Sequence, residues 1–83
     1  MKDPNEKDNG QPDVALDLTG VACPLNWARA KARLETMMRG EVLEMLTDDP
    51  RAGTDVPRAA EAEGYWVLEV EQKPGRVRIR IER

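Results

Sequence analysis

Residues 76–82, "RVRIRIE", alternate without a break, with Val77, Ile79 and Ile81 apolar and Arg76, Arg78 and Arg80 cationic. Only an extended strand, with its period of two, gathers the three apolar side chains on one face and leaves the arginines on the other. A second run, "YWVLEVE" at 65–71, comes just before it, and "KPG" at 73–75 joins the two. Pro74 presets φ and Gly75 accepts a positive φ, so the junction predicts a tight turn and the chain closes in an antiparallel hairpin. Trp66, Leu68 and Val70 are expected on its inner face, with Tyr65, Glu69 and Glu71 outside. The outer glutamate and arginine rows are expected to pair across the strands.

Such a hairpin has an apolar face to cover, and the upstream chain supplies the cover. "VALDL" at 14–18 alternates as a half-buried strand until Gly20 breaks the pattern. After Pro24, Trp27, Ala30, Leu34, Met37 and Met38 recur at helical spacing, with Arg29, Arg33 and Thr36 turned elsewhere and Gly40 as the expected stop. "EVLEMLTDD" at 41–49 carries apolar residues on both faces, which predicts a central strand ended by Pro50. A second helix is expected over about 53–63, with Val56, Ala59, Ala60 and Ala62 as its shallow apolar face. Asp55-Val56-Pro57 is read as its start and Gly64 as its close. The order is βαβαββ. The expected fold class is α/β, a two-layer sandwich with two helices on one face of a four-stranded mixed sheet. The other face is expected to be polar apart from Ala15, Val42, Leu46 and Val67.

The first thirteen residues hold no apolar side chain after Met1, so 1–13 are expected to be a disordered tail and 14–83 the folded domain. No run approaches the length of a membrane span, and the charged start lacks the apolar core of a signal peptide. The expectation is therefore a cytoplasmic protein with no membrane partner. Of the formal charge of −3, the tail accounts for −2 (Lys2 and Lys7 against Asp3, Glu6, Asp8 and Asp13), leaving the domain nearly neutral. Direct nucleic-acid binding is not expected of such a domain. The segment after the cysteine is nevertheless locally basic, with Arg29, Lys31, Arg33 and Arg39 against Glu35. Its plain reading is a solvated helix face.

Subtraction narrows the chemistry. The chain has no histidine, no serine and a single cysteine, Cys23. These counts exclude a Cys/His zinc site, a Cys–His pair, a serine nucleophile and an internal disulfide, so no metal and no cofactor are expected. What remains is a thiol at a strand–loop–helix junction directly before proline. With Pro24 at the first helical position, Cys23 becomes the expected N-cap, where backbone N–H groups and the helix dipole favour a thiolate. The bland alternative is a small buried residue. Asp48 and Asp49, before Pro50, are expected on the same sheet edge as Cys23. They suit a turn or helix cap, or partner recognition, better than a metal site. Trp27 is expected to pack.

At this point the residues resemble the TusA/SirA-like sulfur carrier family. Asp17, Gly20, Cys23 and Pro24 match its D-x-x-G-x-x-C-P entry. Gly40, Glu41 and Leu43 match its middle, Asp48, Asp49 and Pro50 its acidic turn, and Asp55-Val56-Pro57 stands for its D-I-P. The resemblance covers 14–83. It implies the same two-layer sandwich and a persulfide carried on Cys23, with Gly20 and Pro24 in support; Asn26 is a further supporting candidate by its own position. The implied partners are a sulfur donor protein (a cysteine desulfurase or a rhodanese-like protein) and a downstream sulfur-acceptor protein, as in tRNA 2-thiolation or sulfur oxidation. Arg29, Lys31, Asp48 and Asp49 become partner-contact candidates. Two positions depart from the pattern: Asn26 replaces the family's second proline, and Ala22 stands where the best-known members have arginine. Asn26, at the third helical position, is expected to aim its amide at the sulfur. The alternative function is an interaction or regulatory module on the same fold that does not use cysteine chemistry.

Overall fold

The computed structural model describes residues 11–83. Six elements follow one another: β1 (Val14–Asp17), α1 (Leu25–Leu34), β2 (Val42–Thr47), α2 (Ala52–Ala62), β3 (Trp66–Lys73) and β4 (Arg76–Glu82). The sheet order is β1-β2-β4-β3. The helix between β1 and β2 lets them run parallel, while the tight turn forces β3 and β4 to run antiparallel. β4 then inserts between β2 and β3, so β2 and β4 are the interior strands. That placement explains why "VLEMLT" is apolar on both faces. The predicted tail falls outside the described residues over 1–10. Asp13, at its far end, is already docked: its N–H donates to the Val42 carbonyl and its carboxylate accepts the Val42 N–H, both at 2.8 Å.

Both helices cover one face. Ala30 and Leu34 of α1 and Val56 and Ala60 of α2 meet Leu43, Met45, Ile79 and Ile81 of the interior strands, all with no exposed surface. Alanines at the contact positions let the helix backbones approach the sheet closely. Ile79 sits between Met45 on one side and Val70 on the other. Replacing it by alanine removes three buried carbons and leaves a void, so Ile79→Ala is expected to cost about 2–5 kcal/mol. Since a domain of this size has a total of only about 4–10 kcal/mol, chemical denaturation should show a largely unfolded chain at modest urea.

Three local expectations fail for identifiable reasons. α1 stops at Leu34 rather than running to Gly40, because Thr36 folds its hydroxyl (2.7 Å) and its N–H (3.0 Å) onto the Arg33 carbonyl and tightens the turn. Met37 stays buried but Met38 is 74% exposed, off the core stripe. α2 begins at Ala52, so Pro57 lies inside the helix rather than in its first turn.

The third failure matters most. β3 carries a bulge: Val67 pairs with Ile81 and Glu69 with Arg80, leaving Leu68 as the extra residue. The extra residue switches the parity of the strand. Tyr65 and Val67 pack on the core, whereas Trp66 and Leu68, expected inside, are 69% and 52% exposed. Val70 pairs with Ile79 but lies on an edge strand, 40% exposed. Val67 correspondingly leaves the open face on which it was expected. The arginine and glutamate rows do pair there, Arg78 with Glu71 at 3.4 Å and Arg80 with Glu44 at 2.9 Å. Among the described residues, no helix is long and apolar enough to cross a membrane.

Candidate functional site: a thiol loop clasped by two aspartates

Because β1 and β2 are parallel neighbours, the loops that leave them emerge at the same edge of the sheet. Their side chains hold each other. Asp17 ends β1 by accepting the Thr19 N–H (3.0 Å) and hydroxyl (2.6 Å), and these two bonds, the hydroxyl's foremost, keep its carboxyl below the usual range. The Val21 N–H then reaches back to the Leu18 carbonyl at 3.0 Å, closing a turn with Gly20 at φ +85°. That conformation is why the position wants glycine. From the second loop, Asp48 Oδ1 accepts the Gly20 N–H and Asp49 Oδ2 accepts the Cys23 N–H, each at 3.0 Å.

Asp49 is itself fastened. Its other oxygen accepts the Arg51 N–H at 3.0 Å, and its own N–H donates to the hydroxyl of Thr47, a buried residue, at 3.2 Å. The Cys23 N–H first, and the Arg51 N–H second, hold its carboxyl below the ordinary carboxylate value. The acidic pair thus spends its oxygens on the backbone of the thiol loop and of the turn into α2.

Cys23 is half-buried. The N-cap is Pro24 and the helix starts at Leu25, so the cap falls one residue later than expected and Cys23 directly precedes it. The Asn26 N–H already bonds the Ala22 carbonyl at 3.1 Å, so Cys23 is enclosed by the first turn without capping it. Asn26 is accordingly the second residue of α1, not the third. Its side chain has no exposed surface, its Oδ1 accepts the Trp27 N–H at 2.6 Å, and its Nδ2 has no partner among the described residues. The expected bond from this amide to the sulfur is therefore absent.

Around the thiol loop, residues 20–22 and 48–51 line an open hollow of about 330 Å³. Ala22 and Pro24 are exposed. Of the basic residues on α1, Lys31 reaches Glu63 at the end of α2 (2.8 Å), a bond that raises its pKa, while Arg29 stands exposed. Trp27 is half-buried and meets Tyr65 edge-on, with ring centroids 6.2 Å apart. No group of three or more potential metal-ligating side chains occurs among the described residues.

The profile of the family described as Sulfurtransferase TusA matches residues 14–83. The chain belongs to the TusA family. It is 44% identical to a candidate sulfur carrier protein of Archaeoglobus fulgidus over 75% of this chain and 70% of that one. To YedF of Escherichia coli K12, also named as a candidate sulfur carrier, it is 31% identical over 87% of this chain and 94% of that one. Among solved structures, a SirA-like protein from Desulfitobacterium hafniense superposes with a TM-score of 0.71 at 27% identity, over 83% of this chain and 95% of that one.

In this TusA-family domain two contributors to the site carry weaker signals than the cysteine. Thr47 looks like an ordinary strand residue, yet its hydroxyl orients Asp49. Arg51 looks like a solvated cation, yet its N–H holds the second oxygen of Asp49 and its guanidinium lies 3.5 Å from it. The sequence signal for both is local: threonine and arginine at two-residue offsets from an aspartate are the pattern of side-chain-bonded turns.

Proposed function

We propose that the chain carries sulfane sulfur as a persulfide on Cys23 and passes it to an acceptor protein. In loading, the Cys23 thiolate attacks the outer sulfur of a donor persulfide. The bond from Cys23 Sγ to that sulfur forms as the donor's S–S bond breaks, and the donor leaves as a thiolate. No external oxidant or reductant is required, because the transferred sulfur keeps its oxidation level. In unloading, an acceptor thiolate attacks the same outer sulfur and Cys23 is the leaving group. A lone cysteine suits this cycle, since no neighbouring thiol can discharge the persulfide as an internal disulfide.

The observation that carries the reading is the clasp of Asp48 and Asp49 on the Gly20 and Cys23 N–H groups, which fixes the thiol loop at the rim of an open hollow. A thiol held in one place is easier for a partner's persulfide to meet in line. The donor is proposed to be a cysteine desulfurase or a rhodanese-like protein, and the acceptor a protein of sulfur trafficking such as tRNA 2-thiolation or sulfur oxidation. Arg29 and Lys31 are the proposed partner contacts on α1. Asp48 and Asp49 act on partners through the loop they hold. The proposed setting is the cytoplasm. Intact-mass measurement after incubation with a desulfurase and cysteine, or a rhodanese and thiosulfate, tests the reading. A gain of one sulfur atom that reductant removes supports it. No gain from either donor, with Cys23 open to alkylation, rejects it in favour of an interaction module.

A further inference from the structure

Beyond its bulge, β3 returns to regular pairing, with Val70 opposite Ile79 and Gln72 opposite Val77. Ile79 and Val77 are buried under the helices, so Gln72 stands on the helix-covered face, where alternation calls for an apolar residue. Its amide has a specific use. Gln72 Nε2 donates to the Pro50 carbonyl at 3.0 Å, in the turn that leads into α2. The side chain reaches that carbonyl by lying against Gly53, the second residue of α2. A Cβ at position 53 would overlap Gln72 Oε1 and stand 3.0 Å from its Cδ. The φ of Gly53 is not positive, so the position needs glycine for room and not for conformation. Glycine inside a helix is less favourable than alanine, and here the room it leaves is taken by the Gln72 amide.

The Pro50 carbonyl and the Arg51 N–H are the two ends of one planar peptide group. Gln72 holds the carbonyl end, and the N–H end donates to Asp49 Oδ1 at 3.0 Å. Asp49 Oδ2 in turn accepts the Cys23 N–H at 3.0 Å. We propose that Gln72 is a positioning residue for Cys23. It sets the plane of the 50–51 peptide, that peptide orients the Asp49 carboxylate, and the carboxylate holds the thiol loop. The proposal rests on the sulfur-carrier reading for what the loop does, and on these contacts for how the loop is held. Because the peptide is rigid, a donor on its carbonyl fixes the direction of its N–H. The same donor polarises the group and strengthens that N–H as a donor. Thr47 supports Asp49 from the other side, its hydroxyl accepting the Asp49 N–H at 3.2 Å. The two supports come from different strands, one before the aspartate and one after it, so neither replaces the other.

Gly53→Ala and Gln72→Met test this chain of contacts from its two sides. The first puts a methyl group where the glutamine amide lies, and the second keeps the side chain's length without its donor. Each should lower the hydrogen-exchange protection of the Arg51 and Cys23 amides about 3- to 10-fold, the worth of one hydrogen bond. Sulfur loading from a protein donor should slow by a similar factor. The double variant should lose no more than the larger single loss, since both substitutions remove the same bond. Alanine favours a helix over glycine, so Gly53→Ala should unfold at the parent's denaturant concentration or above it. A general loss of structure would lower that concentration together with the loading rate. Unchanged amide protection in both variants overturns the proposal. So do additive losses in the double variant, or lost protection with loading at the parent's rate. If the parent itself loads no sulfur from a desulfurase or a rhodanese, the carrier reading fails instead. Amide exchange then still decides whether Gln72 holds the loop.

Discussion

The Cys23→Ser chain is expected to take up no sulfur from a persulfide donor, yet to unfold at the same denaturant concentration as its parent. The exchange replaces one atom by a smaller one of the same valence at a half-buried position. The residue's N–H remains to donate to Asp49, so the clasp on the loop survives. Stability should therefore change by less than about 0.5 kcal/mol. A serine hydroxyl, however, keeps its proton at neutral pH and is a poor nucleophile toward sulfane sulfur. Loading should fall to background by intact mass. Loading that survives the substitution would end the relay reading, because no other thiol exists in the chain.

Asp49→Ala is expected to slow sulfur transfer from a protein donor by about 10- to 100-fold while the overall fold persists. The carboxylate joins the Cys23 and Arg51 N–H groups, 26 residues and two residues away in sequence. Its loss frees the loop, and a misplacement of about 1 Å can cost two orders of magnitude in rate. Asp49→Asn should recover part of the rate, since the amide oxygen can still accept an N–H bond. A small alkylating reagent needs no docking, so its reaction with Cys23 should change far less than the protein-donor rate. Equal losses for both reagents would mean that Asp49 acts on the sulfur itself rather than on the position of the loop.

The same bond predicts a pH dependence. Because the folded carboxyl is held below its ordinary value, its contribution is fully present above about pH 4, the unfolded value. It is lost as pH falls through the lowered folded value. The Cys23 amide should exchange with solvent slowly from neutral pH down to about 4, relative to its intrinsic rate, and lose that protection below it. Asp49→Asn should abolish this acid transition. A transition that persists in the variant would assign it to Asp17, also held below the ordinary range.

Much of this protein is legible without coordinates. The unbroken alternation of residues 76–82 admits one conformation, and the turn before it admits one pairing, so the hairpin follows from local chemistry. Apolar residues at helical spacing place α1 against a sheet, and the doubly apolar β2 places itself inside one. Cys23 stands out because the chain has no histidine, no serine and no second cysteine.

Other features depend on contacts between distant residues. Nothing local in "YWVLEVE" distinguishes a regular strand from a bulged one. The choice falls to pairing with β4, and one extra residue at Leu68 moves Trp66 from the expected core to the surface. Likewise the doublet Asp48-Asp49 reads as turn, cap or partner contact until parallel pairing of β1 and β2 brings it beside Cys23. Asn26 reads as a donor for the sulfur until the helix start shifts by one residue and turns its side chain inward. Periodicity and composition are properties of neighbours in sequence, and they determined the elements and singled out the candidate thiol. Strand parity, the cap and the clasp are settled by which backbone groups meet across the fold, and only the tertiary structure decides that.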